Sequence, residues 1–409
     1  MDTIPYKTDE SEIKRMYNNF VQRVRKTKTE FVRYLMPTIN WEDRFIAIRG
    51  ARGCGKTTLL HQYIKLNLNL DQSIIYVSLD DVYFSNNRLI DFVDDFVLHG
   101  GTHLFLDEVH KYPSWSNELK SIYDNHSELK IVFTSSSVLN INKGSADLSR
   151  RVVVYDMDAM SFREFMNLSE GSSVSVLSLN DLLKNHLSIA NEILMGRKVI
   201  PAFKNYLDYG AYPFFIEGTS SYAGKLAAIV NLTLETDLPA VFNMEYRNVF
   251  KLKKLVQYLA VSGPYKPDIT KLAAQLEVSR NTLLLFLSQL DSAHLLKLLK
   301  TDKGNESILT KPEKVYMNNS NLMNALSAAP ADIGAIREVF FFHQMGVKHK
   351  VTYTPVGDFF IDDQFTFEVG GKNKTFSQIK QIKQSYIAID GVETGMGNKI
   401  PLWMFGLLY

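Results

Sequence analysis

The 409-residue chain is poor in cysteine and tryptophan: it has one of the first, Cys54, and three of the second. A single thiol excludes an intrachain disulfide and leads to the expectation of a reducing, cytoplasmic setting. Charge of one sign is also missing, since 46 Lys and Arg face 44 Asp and Glu, a net of +2. Nothing global therefore demands nucleic acid or membrane, and any basic surface must be local. No apolar run approaches the roughly 18 residues of a membrane span, so no membrane partner is expected. The opening Met1-Asp2-Thr3-Ile4-Pro5 lacks the apolar core of a signal peptide. Internal repeats and low-complexity tracts are absent. What remains, 45% hydrophobic and 22% charged, is ordinary globular composition. It is enough for about two to four domains with real cores.

Against that background one stretch stands out, Gly50-Ala51-Arg52-Gly53-Cys54-Gly55-Lys56-Thr57. It fits G-x-x-x-x-G-K-[ST], the phosphate-binding P-loop. Its setting is the required one. Phe45-Ile46-Ala47-Ile48 ahead of it reads as a buried strand, and Thr57-Thr58-Leu59-Leu60 behind it opens a helix. The glycines let backbone N–H groups curl around a polyphosphate, and the helix N-terminus adds partial positive charge. Residues 50–58 are thus the expected ATP cradle. Lys56 would reach the β- and γ-phosphates, and the Thr57 hydroxyl would ligate Mg²⁺.

A phosphoanhydride also needs a metal anchor and a base. His103-Leu104-Phe105-Leu106-Asp107-Glu108 supplies both as an apolar strand ending in two acids, the Walker B pattern. Asp107 is expected to hold the Mg²⁺ water shell and Glu108 to orient the attacking water. Lys130-Ile131-Val132-Phe133-Thr134-Ser135-Ser136 is a further strand ending in hydroxyls, where Thr134 or Ser136 could sense the γ-phosphate. Arg150-Arg151 then precedes Val152-Val153-Val154-Tyr155. Either arginine could stabilise transition-state charge, or both could be solvated.

Asp107-Glu108-Val109-His110-Lys111-Tyr112-Pro113-Ser114-Trp115 and Ser161-Phe162-Arg163-Glu164-Phe165 resemble a family of bacterial and archaeal AAA-type ATPases. Those proteins join an ATPase core to a winged helix and a C-terminal domain of restriction-endonuclease-like appearance. The resemblance implies a parallel sheet with the sensor strand between the P-loop and Walker B strands. Its Leu-Ser-Gly-Arg motif falls on Leu148-Ser149-Arg150-Arg151, which implies Arg151 as an arginine finger, with Arg150 in place of the glycine.

The fold class expected is α/β. A basic helical lead-in (1–40) precedes a P-loop NTPase, AAA-like core (41–165). A helical lid (166–250), a winged helix-turn-helix (251–303) and a PD-(D/E)XK-like α/β domain (304–409) follow. In the lead-in, Ile13, Met16, Phe20 and Val24 recur at helical spacing and predict a helix near 10–26. In the helix-turn-helix, Ser279 is the expected N-cap of the second helix. Leu283, Leu284, Leu287 and Leu290 point to the core, which leaves Leu285 and Phe286 outward as a surface for a protein partner. Arg280, Asn281 and Gln289 remain candidates for DNA contact. In the last domain, Asp358 and Glu368 look like the paired acids of a Mg²⁺-dependent nuclease. The lysine expected two residues after the second acid is Gly370. Lys372, two residues further on and about 7 Å away, is its candidate replacement. A remnant without cleavage activity is the expectation, and an active nuclease resting on Lys372 is the alternative. An oligomer is compatible with all of this.

Overall fold

A computed structural model describes residues 10–138, 148, 150–302, 310–327 and 329–409. The chain divides into two compact units, Met1–Met157 and Asp158–Tyr409.

The first unit is a five-stranded parallel sheet with helices around it. Its strands are β1 (Phe45–Gly50), β2 (Ile74–Ser78), β3 (His103–Asp107), β4 (Lys130–Ser136) and β5 (Val153–Met157), in the order β2-β3-β4-β1-β5. The central strands are continuous apolar runs because both faces are covered, as parallel sheets require. Strand β4 lies between β1 and β3, with Gly50 opposite Ser136. Helix α1 (Glu10–Lys26) buries Ile13, Met16, Phe20 and Val24. It packs on α2 (Lys56–Asn67) and on the edge strand β2, where Phe20 stacks on Tyr76. Helices α3 (Tyr83–Asn86), α4 (Leu89–Leu98) and α5 (Trp115–Asn125) fill the β2–β3 and β3–β4 connections.

The second unit begins with helices and ends in a mixed sheet. Helices Ile269–Gln275 and Arg280–Ser292 form the helix-turn-helix, and the Ser279 hydroxyl accepts from the Thr282 N–H. An antiparallel ribbon of β6 (Leu296–Leu299) and β7 (Lys314–Met317) follows. The outward face differs from the sequence expectation. Leu285 is exposed, but Phe286 and Gln289 are buried, because this helix packs on two sides, against the preceding helix and against β6. Gln289 therefore presents no side chain for base readout.

Helix Ile333–Met345 then leads to β8 (Val351–Thr352), β9 (Phe359–Ile361), β10 (Phe365–Gly370), β11 (Ser385–Ile389) and β12 (Lys399–Pro401). Strands β8, β9 and β10 are antiparallel neighbours, while β10, β11 and β12 run parallel. Asp362 and Asp363 both take positive φ at the β9–β10 turn, the backbone that suits a tight hairpin.

Candidate active site

Three strand ends meet at the carboxyl edge of the first sheet. Strand β1 feeds the loop of residues 50–55, and helix α2 starts at Lys56 with no side chain capping its N-terminus. Its first-turn N–H groups therefore remain as donors for an anion. Gly53 and Gly55 sit at φ +78° and +102°, which a side chain would resist. A Cβ at Gly50 would come within 2.5 Å of the Met157 carbonyl. Lys56 is buried and folds back on the loop, donating to Gly50 O at 2.8 Å and Ala51 O at 3.1 Å.

Asp107 joins this loop to the rest of the sheet. The Thr57 hydroxyl donates to Asp107 Oδ2 at 2.7 Å, across fifty positions of sequence. The same oxygen accepts from the Tyr76 hydroxyl at 2.6 Å, and Oδ1 accepts from Thr134. The Glu108 N–H is 3.2 Å from both Asp107 Oδ1 and Thr134 Oγ1. Burial and the adjoining carboxylate of Asp107 push the Tyr76 phenol far up, so it stays a donor. His61 lies edge-on to the Tyr76 ring, and burial lowers its pKa from 6.5 to about 4. Of the two sensor candidates it is Thr134 whose side chain touches Asp107.

Glu108 itself has φ +54° and ψ +39°. A glutamate accepts that left-handed backbone only where its surroundings over-determine it, as the two hydrogen bonds to its N–H do here. Its carboxylate is approached by Arg52 Nη2 at 3.3 Å and His110 Nε2 at 3.4 Å, both on Oε2. On the far side of the loop, buried Arg33 donates to the Cys54 carbonyl, and Gln62 binds the Lys28 and Phe31 carbonyls. Tyr76, His110 and Arg33 escape a sequence reading. Their partners are set by sheet order and by the lead-in wrapping α2, and no local pattern announces either. Arg52 was visible only as a loop backbone position.

The two arginines are not brought to this site. Ile46 pairs with Val153, so Arg151 precedes β5 level with Arg44, at the amino edge of the sheet. It ion-pairs with Asp124 at 2.9 Å, about 20 Å along the strands from the loop. Arg150 is exposed on the same segment, and Ser149 lies outside the described residues. Neither arginine therefore stands at the phosphate loop of its own chain.

The second acidic cluster lies in the C-terminal sheet. Asp358 sits beside Glu368 across β9 and β10, and its Oδ2 accepts the Val369 N–H. Lys314 Nζ bridges Glu338 at 3.1 Å and Asp358 at 3.7 Å. Lys372 is not the replacement lysine. Strand β10 ends at Gly370 and the chain turns, so two-residue alternation no longer applies, and Lys372 lies by Gly391. Lys374 comes back instead, with Nζ 2.5 Å from Glu368 Oε1 and its stem where a Cβ of residue 370 would be. Burial raises the Glu368 pKa; the Lys374 contact opposes that rise, and Asp358 and Glu338 add to it. Two ammonium groups thus pair with these three acids, and among the described residues no three His, Cys, Asp or Glu side chains are grouped to hold a metal.

Fold and loop together define a P-loop nucleotide-binding core. Residues 42–166 match the family model of the AAA domain, and residues 200–332 match a domain of unknown function, DUF8612. An uncharacterized protein of Methanocaldococcus jannaschii is 27% identical over 271 residues, covering 63% of this chain and 57% of that one. Among solved structures, C. elegans PCH-2 is 17% identical with 40% of this chain and 45% of that one covered, at TM-score 0.23. The S. cerevisiae Hsp104–ADP complex is 15% identical with 68% and 41% covered, at TM-score 0.28. Overlap that loose transfers no function from either. Among the described residues no helix is long and apolar enough to cross a membrane.

Proposed function

We propose that this protein binds ATP with Mg²⁺ and hydrolyses it slowly, as a switch or assembly ATPase. The observation that carries the reading is the Thr57–Asp107 hydrogen bond of 2.7 Å, which unites the phosphate loop and the acidic strand end. Hard oxygen donors there suit Mg²⁺: Thr57 as a direct ligand, Asp107 through the metal's water shell. Bound there, the metal would withdraw charge from the phosphate oxygens. Lys56 would turn from the loop carbonyls to the β- and γ-phosphates, and Glu108 would orient water. Because Arg151 lies at the other sheet edge, its finger role requires a second copy of the chain.

The C-terminal domain is read as a non-cleaving relative of the PD-(D/E)XK nucleases, since Lys314 and Lys374 hold its acids. The winged-helix reading of 251–303 keeps a protein partner ahead of DNA, with Leu285 outward and only Arg280 and Asn281 exposed beside it at the helix start. The cytoplasmic setting rests on the single thiol.

Nucleotide binding and turnover of the full chain test the main reading. Lys56→Ala is expected to abolish ATP binding, while Glu108→Gln keeps binding and stops all but a slow residual turnover. Equal loss of binding in both variants would contradict the separate roles.

A further inference from the structure

We propose that His110 is a positioning residue for Glu108, tying the end of β4 to the carboxylate that orients water; this rests on the ATPase reading above. The Ser136 N–H donates to His110 Nδ1 at 3.3 Å. A neutral imidazole that accepts at Nδ1 carries its proton on Nε2. The Nε2 atom lies 3.4 Å from Glu108 Oε2, close but without hydrogen-bond geometry, and the imidazole is only 1% exposed, so the pair is shielded from solvent.

The main chain of Glu108 is pinned separately, by Asp107 and Thr134. Thr134 and Ser136 are two residues apart on one strand, so β4 fixes the base at both ends: its N–H directly and its carboxylate through His110. Both close approaches to the carboxylate, from Arg52 and His110, fall on Oε2 without yet forming hydrogen bonds, which leaves Oε1 for the water. Arg52 is the other grip, but it belongs to the phosphate loop and has the triphosphate as a competing anion. The proposed Nε2–H to Oε2 hydrogen bond forms when substrate completes the site, as loosely aligned contacts of catalytic groups commonly tighten then.

Steady-state ATP turnover and fluorescent-nucleotide binding by the full chain test this, using His110→Ala and His110→Gln, each with and without Glu108→Gln. His110→Ala should lower kcat about 10- to 100-fold while KM and nucleotide affinity stay within about 2-fold. His110→Gln, whose amide can still donate, should keep kcat within about 5-fold of wild type. In the Glu108→Gln background, His110→Ala should cost nothing more, because the group it positions is gone. Wild-type kcat in His110→Ala, nucleotide binding lost together with turnover in both His110 variants, or an equal fold-loss with and without the carboxylate would each overturn the proposal. A Glu108→Gln chain that turns over at the wild-type rate would instead sink the base assignment itself.

Discussion

Asp107 accepts from four protein donors, two on each oxygen, so its orientation is fixed without help from solvent. Tyr76 is the donor among them that no sequence motif announced. Removing its hydroxyl in Tyr76→Phe keeps the stacked ring and leaves Asp107 one partner short. Turnover should fall about 10-fold, and unfolding free energy by about 1 kcal/mol; kinetics and urea titration read the two effects separately. Behind Tyr76, His61 predicts a pH effect of definite sign. Its folded pKa is depressed from 6.5 to about 4 by burial. Between those values the unfolded chain binds a proton that the folded chain refuses, so stability falls as pH drops through the window. His61→Leu should remove about 2 kcal/mol of the stability lost between about pH 7 and pH 5. Urea curves at the two pH values that fall equally in both proteins would contradict a buried neutral imidazole.

Elements differ in how far the sequence betrays them. The loop, α2 and the end of β3 were legible because their chemistry is local: glycines before a helix, acids after an apolar run. The sheet edge at which Arg151 lies could be read from a signal the sequence carries. In a parallel sheet, residues that follow strands gather at one edge and residues that precede them at the other, and Arg151 precedes β5. Phe286 and Gln289 were misread because a one-sided stripe was assumed for a helix packed on two sides. Lys372 failed because alternation was extended past Gly370, where β10 stops. That last site gives an element-scale prediction. Gly370→Ala would put a methyl group about where the Lys374 stem runs, 2.8 Å from its carbons. The variant should lose roughly 1–3 kcal/mol, partly by pulling Lys374 off Glu368, and thermal unfolding beside Lys374→Met measures the shared part. At the helix-turn-helix, Ser279→Ala removes an N-cap and should cost about 1 kcal/mol.

For the whole molecule, the sheet-edge position of Arg151 turns oligomerisation into a kinetic question. A chain with Lys56→Ala lacks a working loop but keeps its arginine, and Arg151→Ala has the reverse defect. Mixing the two inactive chains should restore measurable turnover if one copy completes another's site. Mixtures as silent as their components would confine Arg151 to its pairing with Asp124. Cys54, the one thiol, also has a practical use. Its side chain is fully buried beneath the phosphate loop, with its sulfur against Gly50. A maleimide dye offered to the native protein should therefore find nothing to attach to. Any cysteine then engineered onto the surface becomes the sole address for a fluorophore or spin label, without first deleting a native residue and disturbing the loop whose motions one wants to follow.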